Sequence, residues 1–216
     1  MPMSIGTGRM LLRRMTGADL DWLARLHGDR RVMRYIGDRE PIPRAEIAAR
    51  TLPAMLRDYE ELPTGLGYFA AVELITGRPL GWVALRPPDS VGLCPPASTG
   101  LCPPAGVAEL GYRLLPEAWG LGYATEGARA LVRHAFTDLD LASVVATTMT
   151  LNLASRRVLD KAGLSLVRTF LAVWPSYIEG AEHGDVEYAV ARSAWLTSRA
   201  HVAGDRRCRS GGRLRG

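Results

Sequence analysis

The stretch with the most chemical content is Trp119-Gly120-Leu121-Gly122-Tyr123-Ala124. Glycines at 120 and 122 remove the Cβ atoms that would hold a phosphate away from the main chain, and a helical pattern of apolar residues follows. Such a turn aims successive backbone N–H groups at one point, where the helix end adds partial positive charge. The chemistry this suits is the binding of an anion, a pyrophosphate above all. Two glycines are also ordinary turn punctuation, so the pattern draws its weight from its surroundings. A dinucleotide-binding Rossmann turn fits poorly. Thr125 stands where its third glycine would be, and Pro116-Glu117-Ala118-Trp119 separates the preceding strand from the glycines.

The elements that must position this turn read as an α/β chain. A strand at 9–15 leads through Thr16-Gly17-Ala18-Asp19, a turn and N-cap, into a helix from Leu20. A second helix is predicted over 44–59, bent or split at Pro53. Strands at 68–74 and 79–85 flank Thr76-Gly77-Arg78 as a hairpin, and a third at 108–115 ends at Pro116. Then come a helix over 123–137, a β-branched strand at 144–149, and a helix over 153–162 closed by Gly163. Two last strands follow at 167–174 and 186–191. The order is β-α-α-β-β-β-α-β-α-β-β.

Between the third and fourth strands, residues 87–106 contain Gly92-Leu93-Cys94-Pro95-Pro96-Ala97 and its copy Gly100-Leu101-Cys102-Pro103-Pro104-Ala105. Paired prolines cannot supply ladder N–H groups, so this duplication reads as a loop excursion. Two cysteines with no histidine beside them fall short of the four ligands a closed zinc site uses. His27, His134, His183 and His201 show no ligand spacing either, so no metal is expected. Three cysteines make an odd count and read as free thiols.

The net charge of +5 is carried by the tail, where six arginines face one acid, Asp205, within 197–216. The remainder is near neutral, which argues against a nucleic-acid-binding face on the folded body. No apolar run reaches membrane-spanning length, and the first residues lack the order of a secretory signal. A cytoplasmic location is expected.

The run Glu109-Leu110-Gly111-Tyr112 leads to the glycine turn through Thr125-Glu126. After a strand comes Asn152-Leu153-Ala154-Ser155-Arg156-Arg157-Val158-Leu159-Asp160-Lys161-Ala162-Gly163-Leu164. Together these resemble the two central motifs of the GNAT acetyltransferases. The opening residues 9–14 with Asp19, and the closing Glu187-Tyr188-Ala189-Val190, resemble the subgroup of ribosomal-protein N-terminal acetyltransferases. The resemblance spans 9–195, interrupted by the Cys-Pro repeat. It implies the GNAT fold of the α/β (α+β) class, a central, mostly antiparallel twisted sheet with a splayed parallel strand pair, flanked by helices. One domain, 1–196, would precede a basic, disordered tail, 197–216.

The resemblance also implies acetyl-CoA as co-substrate. Amides of Leu121, Gly122, Tyr123, Ala124 and Thr125 would hold its pyrophosphate, in a turn with Trp119 and Gly120. The strand end at Leu114 and Leu115 would pair with the pantetheine arm, one of their N–H groups facing the oxyanion, and Asn152 would bond the pantetheine. Glu109 occupies the strand position of a general base, against the bland reading of an exposed strand-edge glutamate. Ser155 would lie near the sulfur, because Leu159 stands where many relatives carry an acidic tyrosine; Asn152 and Ser155 also suit plain helix capping. Glu126 is expected to complement the helix dipole. Tyr35, Trp174 and Tyr177 fall in regions that bound the acceptor, although aromatics there often only close a core. The acceptor implied is a protein or peptide α-amine, with a small-molecule amine such as a polyamine or aminoglycoside as the alternative. A non-catalytic acyl-CoA sensor is a third reading, and a homodimer is compatible with any of them.

Overall fold

Two short strands, rather than one, open the chain. The computed structural model describes residues 3–36, 40–88, 106–171 and 179–198. β1 (Ser4–Gly6) folds back antiparallel on β2 (Met10–Arg14), which buries Met10 and Leu12. β1 was not foreseen, because three residues carry too little alternation to be read. A turn at Gly17–Asp19 leads into α1 (Leu20–His27). The buried Asp19 carboxylate holds this corner, accepting bonds from the Thr16 N–H, the Trp22 indole and both terminal nitrogens of Arg13.

After α2 (Arg30–Met33) come α3 (Arg44–Glu46), a wide turn at Ile47–Thr51 and α4 (Leu52–Glu61). The bend or split expected at Pro53 takes the form of this wide turn just before it, and helical structure then runs on through Pro53. The Leu52 N–H reaches back to Ile47 O, and the widened turn leaves room for the pyrrolidine ring in the first turn of α4.

The hairpin is present as β3 (Gly67–Glu73) and β4 (Pro79–Arg86). β5 (Val107–Leu114), α5 (Tyr123–Thr137), β6 (Ser143–Met149) and α6 (Leu153–Ala162) follow, then β7 (Ser165–Phe170) and β8 (Asp185–Ala191). β7 starts two residues earlier than predicted and ends at Phe170; 172–174 lie outside the described residues. A helix at 192–198 was also not foreseen, and its Trp195 ring lies 5.4 Å from Phe136 of α5. The Cys-Pro repeat at 92–105 and the tail at 199–216 fall outside the described residues as well.

The eight strands form one sheet in the order β1-β2-β3-β4-β5-β6-β8-β7, antiparallel throughout except for β5 and β6. Helices cover both faces. Ala108, Leu110 and Leu114 pack with Leu131, Val132 and Phe136 of α5 and Leu159 of α6. On the other face Trp82, Ala84 and Leu115 pack with Trp22, Leu23 and Leu26 of α1 and Met55 of α4. This is the mixed α/β architecture that the resemblance implies.

The β5–β6 pairing covers only Val107↔Ser143, Ala108↔Val144 and Glu109↔Val145. Beyond it β5 stays with β4 and β6 with β8, so the sheet opens in a V. The Leu115 N–H bonds Leu80 O, and antiparallel alternation then sets the rest of the strand. Glu109, Gly111 and Arg113 turn their main-chain groups to β4; Leu110, Tyr112 and Leu114 turn theirs into the V. The Trp119 indole bonding Leu114 O at 2.8 Å agrees with this.

One glycine is essential to the arrangement. At Gly81 φ is +135°, and a Cβ would stand 2.2 Å from Arg113 O and 2.7 Å from the Leu114 Cα. Gly81→Ala is expected to lose about 3 kcal/mol in chemical denaturation. By contrast, replacing 89–105 with a short glycine-containing turn joins antiparallel neighbours. It should shift Tm in calorimetry by less than about 5 °C.

Candidate active site

The glycine turn is open to solvent, with Trp119 45% and Leu121 53% exposed. Gly120 and Gly122 have φ of +72° and +84°, and Gly122 is the N-cap of α5. The amides of residues 120–125 donate to no group among the described residues; the Glu126 N–H makes the first helical bond, to Gly122 O. Six successive unengaged N–H groups at a helix start are what an anionic diphosphate needs.

Arg9, which the sequence placed only in a strand, supplies a full positive charge beside this turn. Its Nη1 donates to Leu121 O at 3.0 Å, and its guanidinium lies 4.5 Å over the Tyr123 ring. Glu126 holds it there. The carboxylate accepts from Arg9 Nε at 2.8 Å, from the Arg9 N–H at 2.8 Å and from Thr7 Oγ1 at 2.7 Å. Burial alone would raise the pKa of Glu126, but these bonds outweigh it and keep the group ionised below its ordinary value. Besides facing the helix dipole, Glu126 therefore clasps the β1–β2 turn to α5.

At the apex of the V stands Glu109, only 8% exposed and not at an open strand edge. Its Oε1 accepts from Thr147 Oγ1 at 3.0 Å, while Oε2 is buried without a partner among the described residues. Burial pushes its pKa up to about 7, against the smaller opposing pulls of the Thr147 bond and Arg86. A carboxyl poised there can take up and release a proton near neutrality.

Across the opening, Tyr112 of β5 reaches α6. Its Oη donates to Ser155 O at 3.0 Å and lies 2.8 Å from Ser155 Oγ, whose proton then points to the phenol. Burial raises the Tyr112 pKa and keeps it protonated. Sequence reading missed Tyr112, although its strand parity put it on the face toward α6. Asn152 caps α6, its Oδ1 accepting from the Ser155 N–H at 3.2 Å, with its amide nitrogen outside that bond.

One expectation needs correction. The N–H of Leu115 is spent on Leu80 and its side chain is in the α1–α4 core, so only Leu114 of that pair can present an amide to the V. Leu159 is wholly buried under the sheet, so no acid can act from that position in this chain. Tyr35 is half-buried just past α2, with the Arg34 guanidinium 5.2 Å from its ring. Trp174 and Tyr177 lie outside the described residues.

Comparison with known proteins agrees with this geometry. Residues 9–165 match the family described as acetyltransferase (GNAT) domain. The chain belongs to that family, whose acetyl donor is acetyl-CoA. Over 88 residues, 41% of the chain, it is 48% identical to the FsC-acetyl coenzyme A-N(2)-transacetylase of Aspergillus fumigatus, spanning 37% of that protein's length. The fold superposes on spermidine N-acetyltransferase from Vibrio cholerae in complex with CoA and spermine, with a TM-score of 0.65 at 18% identity. That match covers 87% of this chain and 98% of the other. An aminoglycoside acetyltransferase in complex with coenzyme A gives a TM-score of 0.65 at 21% identity, with the same coverage. At such identities these structures share the fold. No helix among the described residues is long and apolar enough to cross a membrane.

A Cβ at Gly120 would meet no atom within 4 Å, so a side chain there covers the open amides without disturbing the packing. Gly120→Val should cost about 1–2 kcal/mol of stability through its positive φ. It should weaken coenzyme A binding by about tenfold or more in titration calorimetry, since a branched side chain screens the amides.

Proposed function

We propose that this chain transfers the acetyl group of acetyl-CoA to a primary amine by direct attack in a ternary complex. The observation that carries this reading is the buried, half-unpaired carboxyl of Glu109, standing where β5 and β6 part. The bound thioester supplies an activated acyl carbon. Amides of 120–125 with Arg9 hold the diphosphate, and Asn152 and the free edge of β5 hold the pantetheine arm. Glu109 takes a proton from the acceptor ammonium, directly or through water, freeing the nitrogen lone pair for the carbonyl carbon. The Leu114 N–H faces the carbonyl oxygen as charge develops on it. As the C–N bond forms and the C–S bond breaks, the Ser155 hydroxyl turns its proton from the Tyr112 phenol to the departing sulfur. The surplus proton left on the nitrogen passes to the departing sulfur or to water, and a thiolate with an ordinary pKa of about 8.5 needs little more help to leave.

The opening and closing motifs support the ribosomal-protein N-terminal acetyltransferase subgroup, and with it a peptide or protein α-amine acceptor. The polyamine and aminoglycoside acetyltransferases among the structural neighbours support a small-molecule amine equally. That is an argument from fold.

Glu109→Gln should lower kcat by about 100-fold or more while leaving coenzyme A affinity within about twofold. Equal loss in both would remove Glu109 as the base. Because the ionised form accepts the proton, kcat/KM of the wild type should fall as pH drops below about 7, a limb absent from the variant. Stability has the opposite sign. A carboxyl whose pKa is raised by folding stabilises below its unfolded value and loses that contribution as pH rises through about 7. Glu109→Gln should therefore melt above the wild type at pH about 8, with the gap closing toward pH about 5.

A further inference from the structure

The face of β5 turned toward α1 and α2 carries Glu109, Gly111 and Arg113 in succession. Five buried side-chain polar atoms lack a partner among the described residues, and three of them cluster here: Glu109 Oε2, Trp82 Nε1 and Arg113 Nε. Trp82 sits directly opposite Arg113 on β4, and its ring lies 3.6 Å from where a Cβ on Gly111 would stand. The indole thus packs over Gly111, between the two charged residues.

Arg113 is surrounded by groups that position a guanidinium without neutralising it. Its Nη1 lies 3.2 Å from His27 Nδ1 and 3.8 Å from Met33 Sδ, and its guanidinium carbon is 5.3 Å from the Trp82 ring. His27 is no counter-charge. Burial, and then Arg113 itself, hold its pKa down to about 3, so the ring is neutral. Burial lowers the pKa of Arg113 to about 10, Tyr68 opposes that shift, and the like charge of Arg86 adds to it. A desolvated cation held this way is costly unless an anion meets it in the working state. Two orphaned donors, Arg113 Nε and Trp82 Nε1, point to an acceptor of hydrogen bonds as its partner.

We infer that the amine acceptor carries a carboxylate, received by Arg113 and Trp82 at one end of this face while its amine is delivered to Glu109 at the other. This rests on the reading of Glu109 as the base. The two positions are four residues apart on an extended strand, so their Cα atoms are separated by about 13 Å. An ω-amino acid or a short acidic peptide of roughly that reach engages both. A polycation does not, because a second ammonium would approach Arg113 and Arg86.

The test uses the full chain, acetyl-CoA and thiol-release kinetics with three matched acceptor series of graded length: ω-amino acids, their amides, and diamines. At the best length the amino acid should exceed the amide in kcat/KM by about tenfold or more, and the diamine by more still, mainly through KM. Arg113→Met, neutral and close in length, should bring the acid-to-amide ratio toward one, and Arg113→Lys should restore part of it. Should Arg113→Met not fold, the wild-type series decides by itself: amides or diamines used as well as the acids overturn the proposal. Thermal stabilisation by glutarate over chloride at matched ionic strength separates the two readings. Glutarate-induced stabilisation without thiol release from any amine would sink the transfer reading and leave the carboxylate site standing. No glutarate effect together with no acid preference would sink the site while transfer stands.

Discussion

Everything in the candidate site follows from the strand pair β5–β6 being joined for only three residues. Paired further, the main chain of Leu110, Tyr112 and Leu114 would be consumed by β6, and no sheet edge would face a ligand inside the domain. Parting the strands exposes one edge of backbone donors and acceptors without leaving the sheet open to a second chain, because α5 and α6 flank the gap. The separation also puts Glu109 at a junction where main chain closes around its carboxyl while one oxygen stays unclaimed.

The two ends of the site are built by different electrostatics. At the glycine turn, exposure lets partial charges of unengaged amides add to the full charge of Arg9, and Glu126 fixes that arginine rather than competing for the anion. At Glu109, burial does the work, raising a proton affinity that solvent would otherwise suppress. Arg113 is the mirror case, a cation in a desolvated setting whose hydrogen-bond neighbours, His27 and Met33, are neutral. An open turn of unengaged amides beside Arg9, next to a closed and unevenly charged face of β5, would suit one large anionic donor and one small, selected acceptor.

Local chemistry was legible in the sequence wherever a few neighbouring residues decide the outcome. The glycine turn, the caps Asn152 and Gly163, the β3–β4 hairpin and the long helix α5 all depend on contacts between residues close in the chain. Pro53 marked an irregularity in the helix, but its form, a widened turn at 47–51, is announced by nothing in the flanking residues. β1 and the helix at 192–198 are too short to carry a periodicity, and packing on β2 and on Phe136 is what defines them.

The amino-acid sequence by itself determined the element order, the glycine turn at the start of α5 and the presence of a carboxyl, Glu109, on the central strand. Only tertiary structure decided that this carboxyl is buried, that Leu114 and not Leu115 faces the gap, that Tyr112 meets Ser155 and that Arg9 reaches the glycine turn from over 100 positions away. The division has a physical cause. Backbone conformation is set by neighbours in the chain, whereas solvation, proton affinity and hydrogen-bond partners are set by neighbours in space, which exist only once the sheet has assembled.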